Sequence, residues 1–170
     1  MSKIEVKNIY KIFGDHPERI LPMVRDGATK EEVRDETDHT VGLDNVSLSI
    51  KEGEIFVCMG LSGSGKSTLI RHINRLIDPT SGEVTVDGVD VLKLNHNELL
   101  EFRKQSMSMV FQRFGLFPHK TIIENVAFGL EVQKIPADER DETARMQIES
   151  VGLQGFEDQY PAQLSGGMQQ

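Results

Sequence analysis

The feature that most constrains this chain is a glycine-rich stretch that runs from Gly60 to Thr68. Gly60 is followed by four residues and then by Gly65, Lys66 and Ser67, which is the spacing of a phosphate-binding loop. Glycines let the backbone bend tightly and bring its N–H groups close to phosphate oxygens. A helix that begins here adds the positive end of its dipole. The pattern predicts a strand, a loop and a helix that together bind a triphosphate.

Both flanks of the loop fit this interpretation better than the alternative of a glycine-rich turn without a ligand. The apolar run Ile55–Met59 precedes the loop and predicts a buried strand, with the single cysteine, Cys58, as a small core residue. Apolar residues at helical spacing follow the loop, namely Leu69, Ile70, Ile73, Leu76 and Ile77. Within the loop, Lys66 is predicted to reach the outer phosphates and the Ser67 hydroxyl to bind Mg²⁺. The full set of predicted phosphate-binding residues is Gly60, Ser62, Gly63, Ser64, Gly65, Lys66, Ser67 and Thr68.

Composition narrows the class of protein. The chain has 170 residues, 38% hydrophobic and 27% charged, with one cysteine, which suits a soluble domain without disulfides in a reducing cytosol. The net charge is −8 and no run of Lys and Arg stands out, which argues against nucleic-acid binding. No apolar run is long enough to span a bilayer, and the N-terminal residues lack the pattern of a signal peptide. A role at a membrane would therefore come through a partner.

The remaining elements are short. Hydrophobic alternation and turn residues predict strands at 3–10, 43–50, 83–86, 89–91 and 107–111, with Asp87-Gly88 as a hairpin turn. Capping residues and helical periodicity predict helices that begin near Pro17, Thr29, Asn97, Thr121 and Pro136.

Residues 15–41 are charged and carry no strand signal. We interpret them as a solvated surface insertion; the alternative is a docking or regulatory element. Phe13, just before the insertion, is either core filler, which its position favours, or a platform on which an adenine ring stacks.

Two polar features follow later elements. Gln112 comes after the strand predicted at 107–111, where loops line the ligand crevice of an open α/β sheet. Its amide oxygen is a candidate ligand for a metal ion or a water, and a solvated loop residue is the alternative. Ser165, Gly166 and Gly167 precede good helix formers and predict a second helix N-terminus that binds an anion. A simple N-cap is the equal alternative there.

The phosphate loop, Gln112 and the segment Leu164–Gln170, in that order, resemble the nucleotide-binding subunits of ABC transporters. The resemblance covers essentially the whole chain, and Leu-Ser-Gly-Gly is more specific than the loop, which many unrelated NTPases share. It implies an α/β fold: a P-loop NTPase core with a parallel sheet, an N-terminal antiparallel β subdomain and the start of a helical subdomain at 113–164. The chain would then be a partial nucleotide-binding domain that ends at Gln170, before the family's Asp, Glu and His of the hydrolytic half.

The resemblance also implies roles for single residues. Phe13 corresponds to the aromatic that stacks on adenine, and Gln112 to the glutamine that contacts Mg²⁺ and senses the membrane subunit. Ser165, Gly166 and Gly167 correspond to the signature motif, which binds the γ-phosphate held by the opposite subunit of a head-to-tail dimer. The implied cofactors are ATP and Mg²⁺. These 170 residues alone are expected to lack ATPase activity and to be marginal in stability.

A narrower resemblance, to the glycine betaine/proline importer branch, rests on the insertion and on the runs Met59–Thr68 and Val110–His119. It implies an ATPase subunit that drives uptake of compatible solutes as a homodimer on an integral-membrane permease. The subunit would lie at the cytoplasmic face of the membrane, with a solute-binding protein as an indirect partner. Two alternatives stay open: an ABC ATPase without a transporter, acting in DNA repair or translation, and a module that binds nucleotide without turnover. The acidic balance argues against the first.

Overall fold

A computed structural model describes residues 2–111 and 115–170. The chain divides into two compact units, of which the first ends at Met107 and the second is Ser108–Gln170. The proposed subdomains, including a helical one at 113–164, stay a prediction. In the described ranges no helix combines the length and the apolar character that crossing a bilayer demands.

The first unit is built on an antiparallel sheet with strand order β2-β1-β3-β4. Its strands are β1 (Ser2–Phe13), β2 (Thr40–Lys51), β3 (Ser81–Val86) and β4 (Val89–Asp90). The strands predicted from alternation at 3–10 and 43–50 are confirmed and extend further than predicted. The predicted hairpin is confirmed too, since β3 pairs with β4 across Asp87 and Gly88.

One face of this sheet carries the main core of the first unit. Its buried members are Val6, Ile9, Leu43, Leu69, Val84, Val86 and Val91. Leu69 belongs to α3 (Lys66–Ile73), the helix that leaves the glycine-rich loop. Burying one such side chain stabilises a fold by about 1.5–3 kcal/mol. The core therefore fixes the rotation of the helix on which the loop ends.

Helix α3 is shorter than the apolar pattern predicts. It ends at Ile73, so Leu76 and Ile77 lie beyond it, and Ile70 is 48% exposed. Arg75 adopts a left-handed φ of 51°, and its Nη1 donates to the carbonyl groups of Val91 and Leu94 at 2.9 and 2.6 Å. The left-handed backbone at Arg75 is incompatible with continuing the α-helix.

The apolar run Ile55–Met59 does not form the predicted buried strand. Ile55 is 90% exposed and Met59 86% exposed, and Cys58 is an exposed thiol rather than a core residue. The strand predicted at 107–111 is not formed either, and Val110 is 82% exposed. A parallel strand is stable when neighbours cover it on both sides. No described strand pairs with either run, so the described residues show the antiparallel part of the predicted fold and no parallel pair.

The insertion at 15–41 folds into a 3₁₀ turn (Pro17–Arg19), α1 (Leu21–Arg25) and α2 (Lys30–Thr37). The predicted capping box is confirmed: Thr29 Oγ1 accepts from the Glu32 N–H at 3.2 Å, and Glu32 Oε2 accepts from the Thr29 N–H at 2.7 Å. The bond from the Thr29 N–H holds the pKa of Glu32 below its usual value. Local hydrogen bonds thus start α2 where the sequence predicts.

This insertion also has a core of its own. The buried residues of this cluster are Tyr10, Ile12, Val24, Val33 and Val41. Val24 and Val33 come from α1 and α2, while the other three come from β1 and β2. Most of residues 15–41 are exposed, as in a surface insertion, while Val24 and Val33 bury an apolar face of the two helices against the end of the sheet.

His39 ties the two ends of the insertion together. Its Nε2 lies 2.7 Å from the Asp15 carbonyl oxygen, and its Nδ1 lies 2.6 Å from the Thr37 carbonyl oxygen. Carbonyl oxygens only accept, so both ring nitrogens donate when the imidazole carries two protons. The bond to Asp15, then the bond to Thr37, and then the charges of Asp15 and Asp38 raise the pKa of His39.

We expect the stability of the chain to fall as the pH rises through the raised pKa of His39. The folded state holds this proton more tightly than the unfolded state, so the contribution is fully present below the unfolded pKa of about 6.5. It is lost as folded His39 deprotonates. Thermal melts of wild type and His39→Gln between about pH 5 and about pH 9 should show this decline in wild type alone.

His96→Gln is the matched control, because His96 is an exposed histidine in the same unit. Burial lowers the pKa of His72, so the contribution of His72 to stability rises with pH. Both proteins contain His72, so this contribution cancels when their melting temperatures are compared. A melting temperature that follows the same pH curve in wild type and His39→Gln would contradict the role of His39.

The helices of the second unit and the helix before it begin at or within two residues of the positions predicted from their capping residues. The main helices of the second unit are α5 (Ile122–Val132), α6 (Ala137–Ser150) and α7 (Gly166–Gln169). Helix α4 (His96–Ser106) is the last helix of the first unit. The capping box of Thr121 and Glu124 is confirmed. Pro136 precedes α6 instead of lying in its first turn. Asn95, rather than the predicted Asn97, caps α4, because its Oδ1 accepts from the N–H groups of Asn97 and Glu98.

Candidate functional site

The glycine-rich loop makes a tight turn and then becomes α3. The Ser64 N–H donates to the Leu61 carbonyl at 3.2 Å, and Gly65 occupies the N-cap with φ 92°. Only glycine adopts this left-handed backbone without strain. The first N–H groups of α3 have no acceptor within the helix, so they are available to donate to a ligand at the loop. The predicted loop-to-helix junction is confirmed, while the predicted strand before it is not formed.

The Lys66 ammonium lies at the centre of the loop. Its Nζ donates to the carbonyl groups of Gly60 and Leu61, each at 2.7 Å, and lies 3.3 Å from Ser64 Oγ. An ammonium has three donors, and here each is directed at an oxygen of the loop. Because Lys66 is also the first residue of α3, its charge and the positive end of the helix dipole act on the same space. The arrangement attracts an anion with several oxygens.

The next residues of α3 divide between solvent and core. Ser67 is exposed in the first turn, while Thr68 is half-buried and Leu69 is buried. The Thr68 carbonyl oxygen lies 2.6 Å from Nδ1 of His72. The His72 side chain is fully buried, and this burial lowers the pKa of His72. The neutral form is thereby favoured beneath the helix. Leu69 and His72 anchor α3 so that the Ser67 hydroxyl faces water.

Phe13 lies at the end of β1, beside Thr40 of β2. It is 40% exposed, and the Lys11 ammonium lies 5.2 Å from the centre of its ring. The preference for core filler, drawn from position alone, is therefore wrong. A partly exposed aromatic ring offers a surface on which a flat base can stack.

The loop lies directly against the sheet at Gly65. A Cβ built on Gly65 would be 2.7 Å from the Gly42 carbonyl oxygen and 3.0 Å from Leu43 Cδ2. Gly42 is a residue that our sequence interpretation missed. Its signal was available, because a glycine inside a strand pattern often marks a bulge or a close approach of another backbone.

The segment around Ser165 forms a helix start, as predicted. Ser165 is the N-cap of α7, and its Oγ accepts from the Met168 N–H at 3.4 Å. Leu164 is buried in the core of the second unit, whereas Gly166 and Gly167 are exposed. With four described residues α7 has a small dipole, so the second anion site at Ser165–Gly167 stays a prediction.

The metal prediction concerns Ser67 and Gln112. Gln112 lies outside the described residues. The described ranges contain no group of three or more His, Cys, Asp and Glu side chains that would hold a metal ion. The exposed Ser67 hydroxyl stays a predicted ligand of Mg²⁺.

Comparison with known proteins defines the class. Residues 43–170 match the ABC transporter family, and the chain belongs to that family. A dimeric structure of a bacterial ABC transporter cassette matches with a TM-score of 0.78 and 34% identity, over 98% of this chain and 65% of that one. A post-hydrolysis dimer of an ATP-binding cassette bound to ADP and phosphate matches equally well, with a TM-score of 0.78 and 33% identity. The predicted family and fold class are confirmed.

Sequence relatives indicate which branch of the ABC transporter family the chain resembles. The glycine betaine/carnitine transport ATP-binding protein GbuA of Listeria monocytogenes is 54% identical over 170 residues, which is all of this chain and 43% of that protein. The glycine betaine/proline betaine transport system ATP-binding protein ProV of Escherichia coli is 51% identical over 168 residues, which is 99% of this chain and 42% of that protein. The predicted resemblance to this branch is confirmed. The chain spans about two fifths of the length of these relatives.

The contact at Gly65 makes a prediction about stability. We expect Gly65→Ala to destabilise the first unit by more than about 1 kcal/mol, because a left-handed backbone and a collision with the Gly42 carbonyl both oppose the methyl group. Gly63→Ala is the matched control, since φ is 79° there and nothing lies within 4 Å of an added Cβ. Urea unfolding of both variants measures the difference. Equal loss in the two variants would show that the close approach of Gly65 to β2 is unimportant.

Proposed function

We propose that this chain is the nucleotide-binding part of an ATPase subunit that drives import of glycine betaine or a related compatible solute. The observation that carries the proposal is the convergence at the loop. The Lys66 ammonium, the N-terminal end of α3 and the bend at Gly65 meet in one place. Their combined charge and geometry suit the phosphate tail of ATP.

Each loop residue has a role in this proposal. Lys66 exchanges its bonds to the Gly60 and Leu61 carbonyl groups for bonds to the outer phosphate oxygens. The N–H groups at the start of α3 bind the inner phosphates. Residues Gly60, Ser62, Gly63, Ser64, Gly65, Lys66, Ser67 and Thr68 form the cradle, and Phe13 stacks on the adenine ring.

Mg²⁺ fits this donor set. In nucleotide sites the ion is bound by few protein oxygens, with phosphate oxygens and waters as its other ligands. The exposed Ser67 hydroxyl supplies one oxygen in our proposal, and Gln112 supplies another. The ion would neutralise part of the phosphate charge. Phosphoryl transfer depends on such charge stabilisation and on positioning. Hydrolysis itself is proposed for a subunit of the relatives' length rather than for these 170 residues.

The proposed assembly is a homodimer of ATPase subunits on an integral-membrane permease. Related cassettes have dimeric structures, and relatives carry the name of transport ATP-binding proteins. In the dimer, the Ser165 hydroxyl and the exposed Gly166 and Gly167 would bind the γ-phosphate held by the opposite subunit. A solute-binding protein is an indirect partner, and the cytoplasmic face of the membrane is the proposed location.

ATP affinity tests the proposal at Lys66. Removing a charged donor to a phosphate costs about 1.5–3 kcal/mol, so Lys66→Ala should weaken ATP binding roughly tenfold to hundredfold. Isothermal titration calorimetry on the 170-residue chain measures this. Lys104→Ala is the matched control, because Lys104 is an exposed lysine of α4 in the same unit. Equal affinities of the two variants would contradict the loop as the ATP site.

Uptake tests the transport role separately. In a subunit of the relatives' length, Lys66→Ala should abolish ATP-dependent uptake of glycine betaine into proteoliposomes that contain the permease. Undiminished uptake would overturn the proposal that this loop powers import.

A further inference from the structure

Gly42 lies at an irregular point of the sheet. Ile12 pairs with Val41, whereas Lys11 pairs with Leu43, so Gly42 is an extra residue of β2 between two successive pairs. This count of two residues against one defines a β-bulge. A bulge bends its strand and redirects the neighbouring side chains, and bulges are frequent beside functional sites. The bulge here is one pair away from Phe13, which pairs with Thr40.

One side of Gly42 is covered by the Phe13 ring. A Cβ built on Gly42 would lie 2.6 Å from Phe13 Cε2 and 3.2 Å from Phe13 Cδ2. The backbone of Gly42 is not left-handed, since its φ is outside the positive range in which ten other glycines of the described chain lie. Space, and not backbone conformation, therefore opposes a side chain at this position, and the Phe13 ring would have to shift to admit one.

The backbone of Gly42 meets the phosphate loop. Its carbonyl oxygen is the atom that a Cβ on Gly65 would approach to 2.7 Å. The Phe13 ring thus occupies the space that a side chain at position 42 would need. The carbonyl group of Gly42 lies against the phosphate loop. Both parts of the candidate site therefore lie beside one residue.

We propose that Gly42 is a positioning residue that sets the spacing between the Phe13 ring and the phosphate loop. This spacing lets the site bind a nucleotide by its base and its phosphates at once. The proposal rests on the proposed function, in which the loop binds ATP. It adds that selectivity for a nucleotide over a bare polyphosphate depends on the missing side chain at Gly42.

A methyl group added at Gly42 should affect the contact with the Phe13 ring and leave the contact with the phosphate loop unchanged. Non-bonded carbon atoms settle at about 3.5–4.0 Å, so the ring has to retreat by about 1 Å from its present place. The loop is contacted by the carbonyl group and not by the Cβ, so it keeps its position. The change should therefore act on the base and spare the phosphates.

The test compares ATP with inorganic tripolyphosphate, each with Mg²⁺, by calorimetry on the 170-residue chain. Stacking of a base on an aromatic ring is worth about 1–3 kcal/mol, which converts to roughly fivefold to hundredfold in affinity. Phe13→Ala should weaken ATP binding by an amount in this range, and Gly42→Ala by no more than Phe13→Ala. Both variants should bind tripolyphosphate within about twofold of wild type. Gly129→Ala is the matched control, because nothing lies within 4 Å of a Cβ added on this exposed glycine of α5.

The double variant Phe13→Ala/Gly42→Ala shows whether Gly42 acts through the ring. If it does, adding Gly42→Ala to Phe13→Ala has no further effect on ATP affinity. Should Gly42→Ala alone fail to fold, the double variant is expected to regain a thermal unfolding transition, because the colliding ring is gone. A double variant that also fails to fold would overturn the proposal.

Three other outcomes overturn it: an unchanged ATP affinity in Gly42→Ala, an unchanged ATP affinity in Phe13→Ala, or an equal loss for ATP and tripolyphosphate. The failure of the proposed function looks different. In that case wild type itself binds neither ATP nor tripolyphosphate.

Discussion

The close approach of the Gly65 backbone to the Gly42 carbonyl is the contact on which the rest of the site depends. It places the start of α3 directly on β2, and the buried Leu69 then fixes the rotation of the helix. Lys66 can direct its ammonium into the loop because the residue before it takes a left-handed turn. A bulkier residue at 65 would lift the helix from the strand. The geometry of the loop is therefore a consequence of backbone packing more than of any single charge.

Local signals were predictable from the sequence because their causes lie within a few residues. The capping boxes at Thr29 and Thr121, the hairpin at Asp87-Gly88 and the helix start at Lys66 all depend on nearby hydrogen bonds or on glycine. Such features need no distant partner. The family resemblance was predictable for the same reason, since it rests on contiguous motifs.

Long-range pairing was not predictable in this way. Ile55–Met59 has the composition of a buried strand, but a strand forms only where another strand supplies its hydrogen bonds, and none does so among the described residues. The Phe13 ring lies beside the bulge at Gly42, which is a property of two strands and not of one. The fold of residues 15–41 depends on Tyr10 and Ile12 of β1, which lie outside that segment. Single-sequence patterns do not encode these partnerships.

The insertion and the candidate site share one end of the sheet. His39 packs against Gly14, the neighbour of Phe13, and bonds to both ends of the insertion. The apolar cluster of Tyr10, Ile12 and Val41 supports the same strand ends from the other direction. The insertion thus packs beside the end of β1 that carries Phe13, and the Phe13 ring itself lies against Gly42 of the bulge.

Amide hydrogen–deuterium exchange of the chain with and without saturating ATP and Mg²⁺ tests whether the phosphate loop binds the nucleotide. Binding at the loop should slow exchange at residues 60–68 and leave exchange in α6 of the second unit unchanged. Exchange at 60–68 that does not respond to a nucleotide known to be bound would contradict binding at the loop.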